Sequence, residues 1–100
     1  MTRVEIGKVI RRKCDEISQV MRSLSHPVRL KVLCSVLEQE RGVNELSELC
    51  GVSQSAMSQF LKRMKAEGVL SSRRERNFIY YNISNKKLHA LLRAVKDIYC

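Results

Sequence analysis

Between Asn44 and Gly68 a short helical segment, a glycine-led turn and a longer helix with a polar outer face follow one another, and no other feature constrains the fold so tightly. Asn44 to Cys50 reads as a short helix ending at Gly51, a residue suited to the left-handed conformation that closes helices. Val52 and Ser53 complete a tight turn, and Ser53 is a good N-cap for the next helix. In that helix Ala56, Met57, Phe60, Leu61 and Met64 form an apolar stripe, which leaves Gln54, Ser55, Ser58, Gln59 and Lys62 on the outer face. This order is that of a helix-turn-helix.

The flanks extend the pattern. From Val4 to Leu24 the apolar residues Ile6, Val9, Ile10, Cys14, Ile17, Val20 and Met21 recur every three or four positions, which predicts a first helix of about five turns. Ser25-His26-Pro27 marks a break and a restart, since proline suits the first turn of a helix and disfavours helical geometry in the residue before it. A second helix is expected from Pro27 to about Glu40, with Arg41-Gly42 as its stop and His26 capping or packing at its start. After Gly68, Val69 to Arg74 and Phe78 to Ile83 suit two strands joined by Glu75-Arg76-Asn77, a basic-tipped β-hairpin. Lys86 to Cys100 returns to helical spacing through Leu88, Leu91, Leu92, Val95 and Ile98. The expected fold is mostly α with a small β-hairpin: a single-domain winged helix-turn-helix of four helices, two strands and a fifth helix. A chain of 100 residues builds only a small core, so the long first and last helices are expected to pair with a second copy.

Charge narrows the partner. Nineteen Lys and Arg against ten Asp and Glu give a net charge of +9, which favours a polyanion. Residues 49 to 87 hold eight of those basic side chains and only two acidic ones, so the excess is concentrated around the helix-turn-helix and hairpin. A recognition helix needs short polar side chains toward base edges and cations near phosphates. Gln54, Ser55, Ser58 and Gln59 suit the first role, Lys62, Arg63 and Lys65 the second. Arg73, Arg74 and Arg76 at the hairpin are placed to reach the backbone or the adjacent minor groove. Double-stranded DNA is therefore the expected partner.

Other classes find less support. No apolar run approaches the roughly 18 residues of a membrane span, and Met1 to Val9 has no hydrophobic signal region, so a cytoplasmic protein is expected. No Cys-His-Asn or Ser-His-Asp pattern and no glycine-rich phosphate loop is visible, so neither an enzyme nor a cofactor is expected. The four cysteines lack the close pairing of a structural zinc site. A winged-helix interaction or DNA-packaging module with purely structural thiols stays open as a rival.

The segments LSHPVRLKVLCSVL (24–37), VNELSELCGVSQSAMSQFLKRMKAEGVL (43–70) and RNFIYYNIS (76–84) resemble the ArsR/SmtB family of repressors over nearly the whole chain. The resemblance implies a homodimer built on the first and last helices that binds an imperfect inverted repeat and leaves it when an inducer is sensed. Many members sense metals. Here the third helix has only Cys50 where a Cys-Val-Cys signature would stand, and the last helix offers only His89 and Asp97, so no metal site is expected; metal sensing is the alternative reading.

Cys34 on the second helix and Cys100 at the end of the last are placed like the thiols of the sulfide- and redox-responsive branch of the family. That resemblance implies that a disulfide or polysulfide bridge between them switches operator affinity in response to reactive sulfur species or oxidant. Apart from the resemblance, Cys34 suits a small buried apolar residue, and the same reading holds for Cys14 and Cys50. A helix C-terminus disfavours a thiolate at Cys100, with Arg93 and Lys96 opposing it.

Overall fold

A computed structural model describes residues 1–100. The elements run α1 (Arg3–Leu24), α2 (Pro27–Val36), β1 (Arg41–Gly42), α3 (Val43–Cys50), α4 (Gln54–Ala66), β2 (Ser71–Glu75), β3 (Phe78–Asn82) and α5 (Lys86–Tyr99). This is the expected winged helix-turn-helix with one strand added. The strands form an antiparallel sheet in the order β1-β3-β2.

The turn between α3 and α4 follows from three residues. Gly51 takes φ of +70°, and the Ser47 carbonyl accepts the amides of both Gly51 and Val52, at 3.0 and 3.2 Å. The Ser47 hydroxyl donates to the Val52 carbonyl at 2.6 Å, which satisfies the one buried polar side chain of the domain. The Ser53 hydroxyl accepts the Ala56 amide at 3.1 Å and starts α4. Met57, Leu61 and Met64 are fully buried, while Ala56 and Phe60 are half-buried at the edge of the stripe.

Three boundaries differ from expectation. α2 ends at Val36 rather than near Glu40, because Arg41-Gly42 is drawn into the sheet opposite Tyr81 and Tyr80 and the chain must extend to reach it. The Arg41 guanidinium also takes the Ser35 carbonyl in the last turn of α2. Val69 and Leu70 do not join β2, since both amides are used on the Met64 carbonyl to close α4 and Leu70 enters the core. The hairpin loop is Arg76-Asn77 alone, closed by the Glu75–Phe78 pair, and Arg76 stands at φ of +57°. Glycine is the usual occupant of such a position, and a longer side chain there costs about 1 kcal/mol or more.

The core gathers Val32, Leu33, Val36 and Leu37 from α2 and its exit, Leu46 and Cys50 from α3, the α4 stripe, Leu70, and Leu88 and Leu92 from α5. From α1 only Leu24 is buried. Val4, Ile6, Val9, Ile10, Ile17, Val20 and Met21 leave an apolar stripe 39 to 66% exposed along that helix, and Ile98 and Tyr99 are still more exposed at the end of α5. The protruding α1 contributes to an elongated molecule of 55 × 27 × 20 Å.

Candidate nucleic-acid interface and thiol pair

The outer face of α4 is built as the sequence predicts. Gln54, Ser55, Ser58, Gln59, Lys62 and Arg63 are all exposed, and none spends its side chain on a hydrogen bond within the chain. The three fully buried residues on the opposite face hold this row in place. At its far end α4 is tied down by Arg29, whose guanidinium binds both oxygens of Glu67 at 3.0 and 2.6 Å and the Ser23 carbonyl at 2.8 Å. A single side chain thus links the end of α1, the start of α2 and the C-cap of α4. His26 completes this corner: its Nδ1 accepts the Val28 amide, and its ring lies tilted against Phe60, with the centroids 5.2 Å apart.

The wing arginines divide into two kinds. Arg74 and Arg76 are exposed and make no ion pair. Arg73 is occupied: its Nε lies 2.8 Å from both Glu40 oxygens, its Nη1 donates to Glu75 at 2.8 Å, and its guanidinium sits 4.8 Å above the Tyr80 ring. The carboxylates raise the Arg73 pKa further, and Arg73 holds the Glu40 carboxyl below its ordinary range. Two negative charges therefore offset the one residue of this group that the sequence alone treats as equivalent to its neighbours. Beside Ser58, a cleft of about 530 Å³ opens between the wing and the start of α3, walled by Val43, Phe78, Ile79, Tyr80 and Tyr81.

The α2–α5 seam carries the thiols. Cys34 is half-buried on α2, and Cys100 is exposed at the end of α5, its amide bonded to the Lys96 carbonyl at 2.8 Å. Burial pushes the Cys34 thiol up, the Cys100 charge pushes it further, and Lys96 pulls it back. Just past the end of α2, Glu38 binds Arg93 and Lys96 together, the latter at 3.4 Å, and both cations hold its carboxyl below the usual range. Cys50 is buried as expected, and desolvation raises its thiol. Cys14 is exposed, contrary to its reading as a buried apolar residue, because nothing in the chain covers the α1 stripe. The His89 Nε2 lies 3.3 Å from the Leu37 carbonyl, a tie between α5 and the exit of α2.

Residues 26–72 match the family described as bacterial regulatory protein, arsR family. The biofilm growth-associated repressor of Xylella fastidiosa is 33% identical over 100 residues, 100% of this chain and 84% of the repressor. The HTH-type transcriptional regulator YgaV of Escherichia coli is 36% identical over 88 residues, 86% of this chain and 88% of YgaV. Among solved structures, the transcriptional repressor BigR from Xylella fastidiosa aligns with a TM-score of 0.79 at 33% identity, over 100% of this chain and 98% of that one. The chain belongs to the arsR family.

This arsR-family protein is a DNA-binding transcriptional regulator, and its relatives include proteins named as repressors. No helix in it is long and apolar enough to cross a membrane. Several residues that shape its sites lie outside the outer face of α4 and the wing arginines. Ser47, Arg29, Glu67, Glu38 and Glu40 act through partners between 5 and 58 positions away, so periodicity along one helix cannot reveal them. The one local signal was the pair of acids flanking Gln39 in an otherwise basic chain.

Proposed function

We propose that this regulator binds an inverted-repeat operator as a homodimer and releases it when Cys34 and Cys100 are bridged. In this reading Gln54, Ser55, Ser58 and Gln59 contact base edges, and Lys62, Arg63, Arg74 and Arg76 neutralise phosphates. The charged Arg76 at a strained tip position fits a wing selected for contact. Dimerisation covers the apolar stripe of α1 and the Ile98-Tyr99 pair of α5, surfaces too large to leave in water.

The observation that carries the switch is the tie between α5 and the exit of α2: Glu38, four positions after Cys34, accepts from Lys96, four positions before Cys100. With a low-molecular-weight persulfide, one cysteine thiolate attacks the outer sulfur, giving a protein persulfide and releasing the small thiolate. The second thiolate then attacks the protein-bound sulfur, forms the disulfide and expels hydrosulfide; the two cysteines lose two electrons and the sulfane sulfur gains them. Cys100 directly follows the exposed Ile98 and Tyr99, so tying it to α2 changes the dimer face and with it the spacing of the two α4 helices. Operator half-sites tolerate little change in that spacing.

Fluorescence anisotropy tests this with a duplex that the protein selects from a random-sequence pool. Glutathione persulfide is expected to release the wild-type protein and to leave Cys34→Ser and Cys100→Ser bound, each with normal affinity when reduced. Release of the double variant by the same treatment would sink the assignment.

A further inference from the structure

The last turn of α5 raises a question of placement. Its buried residues are Leu88 and Leu92, both in the first half of the helix; beyond Leu92 no residue of α5 is buried, and Ile98 and Tyr99 are largely exposed. Cys100 therefore rides on a helix end that the core does not hold. What ties this half of α5 to the segment leaving α2 is polar: Arg93 Nη1 and Lys96 Nζ both donate to Oε1 of Glu38. The spacing converts this tie into a register. Cys34 lies in the last turn of α2, four positions before Glu38, which follows the end of that helix, and Cys100 lies one helical turn after Lys96 at the end of α5. The Glu38–Lys96 contact thus joins the segment just after Cys34 to the helical turn just before Cys100.

We infer that the Glu38–Arg93–Lys96 cluster is the positioning element of the thiol switch, holding the end of α5 in the register that sets Cys100 against Cys34, with Lys96 as the cation beside the reacting sulfur. The inference rests on the reading of Cys34 and Cys100 as the bridging pair. The groups whose charge acts on Cys34 are Cys100 and Lys96, both on α5, and Lys96 is the only one of them that favours a sulfur anion there. Lys96 thus has two roles with distinct signatures: it anchors the helix end through Glu38, and it stabilises the thiolate that attacks and the thiolate that leaves. Exposed ion pairs add little to stability, so the cluster is removable without unfolding the domain.

The test follows bridge formation by intact-mass spectrometry in the full chain treated with glutathione persulfide across a pH series. Glu38→Gln and Lys96→Met are each expected to slow bridging up to about fivefold, the upper end of what losing one partly exposed ion pair corresponds to, while reduced-state DNA affinity and melting temperature stay near wild type. Lys96→Arg is expected to restore the rate. Lys96→Met moves the rate–pH curve to higher pH, whereas Glu38→Gln, which leaves the cation in place, slows bridging without that upward shift. Wild-type rate and pH profile in Lys96→Met and wild-type rate in Glu38→Gln would overturn the positioning role. A wild-type protein that forms no bridge under any of these conditions would instead overturn the switch reading, and the inference with it.

Discussion

Arg29 grips both carboxylate oxygens of Glu67 across 38 positions of sequence, and its own side chain is only 11% exposed. One bidentate pair therefore pins the C-terminal end of α4 to the α1–α2 corner, with the arginine desolvated and the acid half open to water. Removing the acid strands a nearly buried guanidinium that retains only the Ser23 carbonyl. Glu67→Gln is expected to lower stability by about 1.5–3 kcal/mol, the range for a hydrogen bond to a charged group, and to weaken DNA binding beyond that of an α4 surface substitution. Thermal unfolding and anisotropy on the same samples check both.

The same pair makes a pH prediction. Hydrogen bonding from Arg29 lowers the Glu67 pKa in the folded protein, and Arg73, Arg93 and Lys96 do the same for Glu40 and Glu38. The unfolded chain, with carboxyls near about 4.3, takes up protons first as pH falls. The stabilisation is thus complete above that value and is lost as pH drops through the lowered folded-state pKa values. Melting temperatures measured from pH 6 down to 3 should fall more steeply for wild type than for Glu67→Gln; parallel curves would deny Glu67 its role.

The wing offers a comparison within three neighbouring arginines. Arg74 and Arg76 are unpaired, whereas Glu40 and Glu75 compensate Arg73. Each phosphate contact adds roughly 0.9 to the slope of log affinity against log salt. Arg74→Ala and Arg76→Ala are expected to reduce that slope by close to this amount, and Arg73→Ala by less. Glu40→Gln, which frees Arg73, should steepen the slope. Equal slopes for all three alanine variants would show that DNA displaces the carboxylate clamp.

The apolar stripe of α1 predicts the assembly. Ile10 and Ile17 lie on the exposed stripe and touch no buried core. Ile10→Glu or Ile17→Glu should convert the homodimer to a folded monomer in sedimentation and reduce operator affinity by at least about 100-fold, since only one half-site is then held at a time. A monomeric wild-type protein at micromolar concentration would refute the dimer.

How far the sequence reveals this protein depends on the range of the interactions. Gly51 and Ser53 announce the helix-turn-helix because left-handed caps and N-caps are local requirements, and both behave as expected. The outward row on α4 is legible for the same reason, since helical period alone separates Met57 and Leu61 from Ser58 and Lys62. The exit of α2 is not: Arg41-Gly42 looks like a stop and becomes a strand only because Tyr80 and Tyr81 lie beside it. Arg73 looks like its neighbours until folding brings Glu40 against it. Cys14 fits a helical stripe, but a stripe does not say whether its own chain or a second copy covers it. Cys34 and Cys100 are joined in sequence only by family resemblance; the Glu38–Lys96 contact that ties the segment after one to the turn before the other is a product of the fold.

Operator affinity of the bridged and reduced forms is the most direct measure of the proposed switch. The Cys34–Cys100 bridged dimer is prepared with glutathione persulfide, its connectivity verified by peptide mass, and its Kd for the selected duplex compared with that of the reduced dimer at one salt concentration. A bridged form that binds at least about tenfold more weakly, and recovers fully on reduction, is expected from the altered spacing of the two recognition helices. Equal Kd values for the two forms would contradict it.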